Sequence, residues 1–236
     1  ALCAALGKYD VVHFHAEGPA FMCWLPKLFG KKVIVTIHGL DWQRAKWGKL
    51  ASTYIMAGEK AAAKFADEII VLSNGVEQYF LETYHRDTKY IPNGVARPIP
   101  RNQNLIRQFG LEKDNYILFL GRVVPEKGIQ YLIEAFQDVK TDKRLVIAGG
   151  SSDTDAFMKE VKQQARTDNR ILFTGFVQGE LLEELYSNAH VYVLPSVREG
   201  LNVSIMEAMA SGLPVVCSRI RGNVDLIDEI NKPCTK

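Results

Sequence analysis

The sequence predicts an α/β protein made of two successive units, each a parallel sheet with helices on its faces. Three observations carry that prediction. Short runs of β-branched and aromatic residues alternate with longer helical segments along the whole chain, the pattern of parallel strands joined by helical crossovers. The strand runs are close to continuously apolar, as in Val191-Tyr-Val-Leu194, which fits strands covered on both faces. The series is broken at Pro92-Asn-Gly-Val-Ala-Arg-Pro-Ile-Pro100, where three prolines and a glycine rule out a regular element.

In the first unit, strands are expected at Val11–His15, Lys32–Ile37, Glu68–Leu72 and Lys89–Ile91. Helices are expected at Ala20–Phe29, across Lys46–Phe65 and at Val76–Thr83. The long helix keeps an apolar face through Ile55, Met56, Ala62 and Phe65, near helical period. In the second unit, strands are expected at Tyr116–Leu120, Arg144–Ala148, Ile171–Thr174, Val191–Leu194 and Pro214–Cys217. Its helices are expected at Ile129–Val139, Thr154–Arg166, Glu180–Asn188 and Ser204–Ser211. The domains are accordingly drawn at 1–95 and 116–236, with 96–115 as linker. Two such units on a Pro-rich hinge imply a cleft, and domain interfaces favour small ligands.

Bulk properties narrow the function class. A chain of 236 residues with 47% hydrophobic and 24% charged residues has a globular composition. The formal charge of +2, with no Lys/Arg run, gives no reason to expect nucleic acid as a partner. No apolar run approaches the roughly 20 residues of a membrane span. Cys3, Cys23, Cys217 and Cys234 show no metal-like pair spacing and read as reduced thiols, which points to the cytoplasm. The chain opens at Ala1 close to a strand and ends abruptly, so a fragment incomplete at both ends is expected.

The most informative stretch is Glu199-Gly-Leu-Asn-Val-Ser-Ile-Met-Glu207. Two carboxylates bracket the entry from a loop into a helix, just after a buried strand. This places Glu199, the backbone of Gly200, Leu201, Asn202 and Val203, and Glu207 at the carboxyl edge of a sheet. Ligands of open α/β sheets bind there, and a helix N-terminus favours an anion. Carboxylates for hydroxyls beside amide dipoles for phosphate suit a sugar nucleotide. The turn Gly121-Arg-Val-Val-Pro-Glu-Lys-Gly128 follows another strand and brings Arg122 and Lys127 to the same edge. Arg grips phosphate through two N–H groups and Lys adds a compact charge. Gly149 ends a third strand, where a backbone can approach a ligand closely. Phe173-Thr-Gly-Phe-Val177 offers an apolar wall, through Phe176 and Val177, for a nucleobase.

In the first unit, Thr36-Ile-His-Gly-Leu-Asp-Trp-Gln-Arg44 sets His38 at a strand's carboxyl end. Asp41, Trp42 and Arg44 add a carboxylate, an aromatic platform and a cation suited to carbohydrate. His13 and His15 project from one face of their strand, followed by Glu17 and Gly18. A zinc site of three histidines gains no support from Cys or carboxylate spacing.

Taken together, these segments resemble glycosyltransferase family 4, retaining sugar-nucleotide transferases with two Rossmann-like domains (the GT-B fold). The residues that carry the resemblance are Gly121-Arg122, Glu126-Lys127-Gly128, Gly149-Gly150, Phe173-Thr-Gly175, and Glu199 to Glu207 followed by Ala208-Met-Ala-Ser-Gly-Leu-Pro214. The first unit looks like the bacterial capsule and exopolysaccharide branch, rhamnosyltransferases included. The resemblance implies that Gly121, Arg122 and Lys127 hold the donor diphosphate, and that Glu207 accepts from the ribose hydroxyls. It implies further that Glu199 contacts the transferred sugar, Gly200 to Val203 reach its oxygens, Gly149 approaches the donor, and Phe176 and Val177 line the base. His38 would lie by the reacting sugar, and His15, Glu17, Asp41, Trp42 and Arg44 on the acceptor side.

The chemistry so implied is transfer with retention from a nucleotide-diphosphate sugar to a saccharide or lipid-linked acceptor, in surface polysaccharide biosynthesis. The departing phosphate would take the acceptor's proton, and no cofactor or metal would be needed. A lipid-linked acceptor would bring a cytoplasmic enzyme to the inner face of the plasma membrane as a peripheral protein. Two other readings stay open at this point: a truncated sugar-nucleotide-binding module without turnover, and a sugar-nucleotide epimerase of the same architecture.

Overall fold

The computed structural model describes residues 1–43, 47–151, 155–199, 201–220, 222–224 and 226–227. The chain divides into two compact units, changing over between Asn93 and Gly94.

The first unit holds a four-stranded parallel sheet in the order β1-β2-β3-β4. Its elements run α1 (Leu2–Leu6), β1 (Val11–His15), α2 (Glu17–Ala20), α3 (Trp24–Leu28), β2 (Lys32–Ile37), α4 (Lys49–Phe65), β3 (Glu68–Val71), α5 (Asn74–Tyr84) and β4 (Lys89–Tyr90), with a 3-10 turn at Asp41–Gln43. Val12 and Phe14 pair in register with Val33 and Val35, and with Ile37, Ile69 and Val71 they form a core closed by Ala62, Val76 and Phe80. The single helix expected over Ala20–Phe29 is instead two short ones. Proline has no N–H to bond back into the preceding turn, so Pro26 sits in the first turn of a restarted helix. Ser73 caps α5, its hydroxyl accepting from the Val76 N–H, which satisfies one of the donors a helix start leaves open.

The second unit holds a five-stranded parallel sheet in the order β7-β6-β5-β8-β9. Its elements are β5 (Tyr116–Leu120), α6 (Ile129–Gln137), β6 (Arg144–Ala148), α7 (Asp155–Ala165), β7 (Ile171–Gly175), α8 (Gly179–Asn188), β8 (Val191–Leu194), α9 (Val203–Ala210) and β9 (Val215–Cys217). Tyr116, Leu118, Phe119, Leu145, Val146, Ile147, Tyr192 and Leu194 are buried in the sheet, under Ile129 and Ile133 of α6 and Leu185 of α8.

Part of the stretch expected as linker packs on this unit. A 3-10 turn at Leu105–Phe109 is held by Glu184 of α8, whose Oε2 accepts from the backbone N–H groups of Asn104, Leu105 and Ile106 at 3.0, 2.7 and 3.0 Å. Ile106 and Leu111 are buried. A carboxylate that gathers three amide donors fixes a segment which its composition alone marks as irregular.

Candidate active site

Numbered within the second unit alone, its five strands run 3-2-1-4-5, and the order reverses between β5 and β8. That switch point is where open α/β sheets leave a crevice at the strands' carboxyl ends. The loop after β5 carries Gly121, Arg122 and Lys127, and the loop after β8 leads to Glu199. The two loops touch. The Val197 N–H donates to the Glu126 carbonyl at 2.9 Å, and Lys127 Nζ lies 2.6 Å from Glu199 Oε1. Both side chains are about 85% buried, with exposures of 15% and 13%. The ammonium has three N–H donors, so it can hold Glu199 and still meet an anion. Arg122 is exposed on the same loop, and no hydrogen bond or ion pair joins it to Lys127, Glu199 or Glu207. The geometry thus unites one cation with one acid, while Arg122 stands apart as a solvent-facing charge.

The strand ends are drawn together by glycine. Gly149 has φ +147°, and a Cβ there would meet the Gly121 carbonyl oxygen at 1.8 Å. The Gly121 N–H donates to the Ala148 carbonyl at 3.0 Å, and the Gly149 N–H to the Gly175 carbonyl at 2.8 Å. Gly128 closes the other side: with φ +69°, a Cβ would meet the Pro195 carbonyl oxygen at 2.2 Å. These contacts hold the backbone floor of the switch point tight. Beyond it, Val177 is buried, whereas Phe176 is 74% exposed.

Helix α9 begins at the same edge. Asn202 caps it, its Oδ1 accepting from the Ser204 N–H at 3.2 Å and the Ser204 hydroxyl at 2.8 Å. The buried Tyr192 hydroxyl lies 3.0 Å from the Leu120 carbonyl oxygen and 2.7 Å from Ser204 Oγ, and its single hydrogen is shared between these two acceptors. This ties β5, β8 and the start of α9 into one network. Tyr186 donates to Glu207 Oε2 at 3.0 Å, which orients that carboxylate and leaves Oε1 as its main remaining acceptor. Burial pushes both phenols up, with Glu207 adding to the effect in each and Glu199 in Tyr192. The two phenols therefore remain hydrogen-bond donors at neutral pH. Leu201 is half-buried and Val203 exposed; Gly200 lies outside the described residues.

The first unit gathers its own group at the ends of β1 and β2. His15 Nδ1 lies 3.1 Å from His38 Nε2. Ala16 follows with φ 68° and ψ 162°, a conformation essentially reserved for glycine and costing about 1–3 kcal/mol. The bend turns Glu17 inward, where it is fully buried. Its Oε1 accepts from the Asp41 N–H at 3.0 Å and its Oε2 has no partner. Burial, first, and the carboxylates of Asp41 and Glu59 raise Glu17 to about 7, against the lowering effect of the Asp41 N–H. The carboxyl expected to face an acceptor instead anchors the Asp41–Gln43 turn from beneath, because the Ala16 bend directs it at the core. Gly58 of α4 makes room for this, since a Cβ there would meet the Glu17 carbonyl oxygen at 1.9 Å.

Trp42 is pinned by its polar end: its indole N–H donates to Glu59 Oε2 at 3.0 Å, and Tyr79 and Tyr84 donate to Oε1 at 2.8 and 2.5 Å. Arg44 lies outside the described residues. Among the described residues no cluster of three or more His, Cys, Asp or Glu side chains is arranged to hold a metal ion, and no helix is long and apolar enough to cross a membrane.

Comparison with known proteins gives the family and the fold. Residues 102–232, more than half of the chain, match the family model described as glycosyl transferases group 1, and residues 2–97 match glycosyltransferase family 4. The chain belongs to glycosyltransferase family 4. An uncharacterised glycosyltransferase of Methanocaldococcus jannaschii is 32% identical over 95% of this chain and 61% of its own length. A UDP-Gal:α-D-GlcNAc-diphosphoundecaprenol α-1,3-galactosyltransferase of Escherichia coli is 28% identical over 93% of this chain and 60% of its own. Among solved structures, a sucrose-phosphate synthase of Thermosynechococcus elongatus superposes with a TM-score of 0.81 at 28% identity, over 95% of this chain and 59% of that one. The chain therefore spans about three-fifths of the length of these relatives, and its fold is that of GT-B glycosyltransferases.

Within this family 4 chain, the sequence reading found the loop residues and missed what orients them. Tyr186, Tyr192 and Ser204 come from three separate elements, and no local spacing announces their meeting. Glu59 gave a usable signal. It falls with Ile55 and Ala62 on the buried face of α4, and a carboxylate within an apolar stripe requires buried donors.

Proposed function

We propose that this chain is the nucleotide-sugar-handling part of a retaining glycosyltransferase. The enzyme moves a sugar from a nucleoside-diphosphate sugar to a saccharide or lipid-linked acceptor in surface polysaccharide biosynthesis. The observation that carries the reading is the Lys127–Glu199 contact of 2.6 Å at the β5/β8 switch point, with Glu207 oriented beside the capped start of α9. A diphosphate placed there meets Lys127, the exposed Arg122 and the α9 backbone N–H groups. The donor's hydroxyls meet carboxylates. The donor named for the Escherichia coli relative, a UDP-sugar, has this chemistry, and its lipid diphosphate acceptor fits peripheral membrane attachment of a cytoplasmic enzyme.

Catalysis follows from charge. Cleaving the sugar–phosphate bond puts negative charge on the leaving diphosphate, and fixed cations aimed at it lower the barrier, by about 3–4 kcal/mol for one such contact. Lys127 is preorganised for this by Glu199, which holds the ammonium in place while the ammonium's other N–H groups remain for phosphate. Attack on the same face as the departing phosphate gives retention and requires no protein nucleophile. Arg122 and Lys127 take the place a divalent metal fills elsewhere, so chelator leaves the rate unchanged. The test is a panel of nucleotide sugars with mass detection of the transferred product. Transfer with retained anomeric configuration, reduced at least 100-fold in Lys127→Ala, supports the reading; free nucleotide sugar interconverted without an acceptor overturns it in favour of epimerisation.

A further inference from the structure

Helix α4 presents a solvent face that is part apolar and part basic. Two contacts fix which side is buried. Gly58 lies so close to α2 that a Cβ would meet the Glu17 carbonyl oxygen at 1.9 Å, and Glu59 points inward to accept from Trp42, Tyr79 and Tyr84. The helix's one acid is thereby withdrawn from solvent. The residues left exposed are Lys49, Leu50, Thr53, Tyr54, Lys60 and Lys64.

These residues fall into two adjoining strips. At about 100° per residue, Leu50 and Tyr54 share an apolar strip with the half-buried Ala57 and Ala61. Leu50 is 90% exposed and Tyr54 48%. Phe21, at the end of α2, extends the strip by packing on Tyr54 with ring centroids 5.0 Å apart, and Trp47, just ahead of the helix, is exposed as well. Beside that strip, Lys49, Lys60 and Lys64 lie within about 60° of one another. In sequence, the stretch from Trp42 to Gly58 holds no acid, and Arg44 and Lys46 add to its positive charge.

A lone exposed leucine is ordinary on a protein surface. Here a leucine and two packed rings adjoin charges of one sign, which selects an anionic occupant with an apolar interior. An interfacial helix sets its apolar side into the headgroup boundary and turns its lysines to anionic headgroups. Lysine stems lie along apolar surface while the ammonium reaches out, and tyrosine and tryptophan favour the same depth. Ala57 and Ala61 keep the strip flat, which suits a bilayer plane.

We propose that the solvent face of α4, together with Phe21, seats the first unit on a membrane surface rich in anionic phospholipid. For its use the inference rests on the proposed lipid-linked acceptor. Helix α4 starts just past His38 and the Asp41–Gln43 turn, and Ser52 ties it there by donating to the Trp42 carbonyl at 3.3 Å. A seated helix therefore keeps that strand edge beside the headgroups.

Vesicle sedimentation of the chain, without donor or acceptor, tests this. Binding to vesicles of equal phosphatidylglycerol and phosphatidylcholine is expected, at least tenfold tighter than to phosphatidylcholine alone and weakened by about 0.5 M NaCl. Leu50→Glu puts a carboxylate in the first turn of α4, where it favours the helix, and should lower vesicle affinity at least tenfold. The triple variant Lys49→Gln, Lys60→Gln, Lys64→Gln should lower it about 100-fold, about fivefold for each lysine. Leu81→Glu, on α5 at 50% exposure, makes the same charge change elsewhere and should stay within twofold of wild type. No binding to the anionic vesicles, or equal affinity in wild type, Leu50→Glu and the triple variant, overturns the proposal. So does a loss in Leu81→Glu as large as that in Leu50→Glu. Self-association that Leu50→Glu abolishes, without vesicle binding, assigns the face to a second copy and overturns it too. Because binding is read without turnover, its failure leaves the transferase reading standing, and failure of the donor panel with vesicle binding intact does the reverse.

Discussion

Replacing Glu17 by Gln should flatten the pH dependence of stability in the first unit. Glu17 is fully buried, one of its oxygens has no partner, and its carboxyl is raised from 4.5 to about 7. A raised acid binds its proton more tightly in the folded state, so stability falls as pH climbs from the unfolded value through the folded one. With those two values, the contribution lost between pH 5 and pH 8 is about 2–3 kcal/mol at 1.36 kcal/mol per unit. Gln keeps an oxygen to accept the Asp41 N–H but does not titrate, so that loss disappears. Any fixed cost of an unpaired amide cancels when each protein is compared with itself at the two pH values. All three tryptophans, Trp24, Trp42 and Trp47, belong to the first unit, so urea unfolding followed by tryptophan fluorescence reports this unit. A double difference of about 2–3 kcal/mol is expected. Parallel pH dependence in wild type and variant would show that Glu17 is already ionised in the folded protein and would refute the reasoning.

Two further outcomes follow from close contacts in the second unit. Gly149→Ala places a Cβ 1.8 Å from the Gly121 carbonyl oxygen at a φ of +147°, and backbone strain with overpacking should cost about 2–5 kcal/mol, read as a lowered midpoint of thermal unfolding by calorimetry. Glu184→Ala removes the acceptor shared by three backbone N–H groups. Amide exchange at Leu105 and Ile106 should accelerate about 30-fold, the equivalent of about 2 kcal/mol, while amides of β1 to β4 stay unchanged.

The strands were legible because parallel strands buried on both faces read as apolar runs, and Val11–His15, Lys32–Ile37, Tyr116–Leu120, Arg144–Ala148 and Val191–Leu194 fall where expected. The region over Ala20–Phe29 was not, since its apolar residues suit one helix while Pro26 forces a restart. In the site, Lys127 and Glu199 were legible as neighbours because each lies on the loop that follows a strand beside the switch point. Glu17 was misplaced for a backbone reason: the positive φ at Ala16 cannot be read from an alanine, and it turns the carboxyl toward the core. The hydroxyl network of Tyr186, Tyr192 and Ser204 joins residues brought together only by the completed sheet.

The central claim is that the β5/β8 switch point binds a nucleoside diphosphate through Lys127 on one side and Glu207 on the other. Calorimetric titration of UDP into the chain, with Lys127→Ala and Glu207→Ala beside wild type, tests it most directly. Loss of a buried charge-assisted hydrogen bond is worth about 1.5–3 kcal/mol, so the account predicts that affinity falls at least tenfold in each variant. Saturable binding with the same affinity in all three proteins would place the ligand elsewhere and contradict the account.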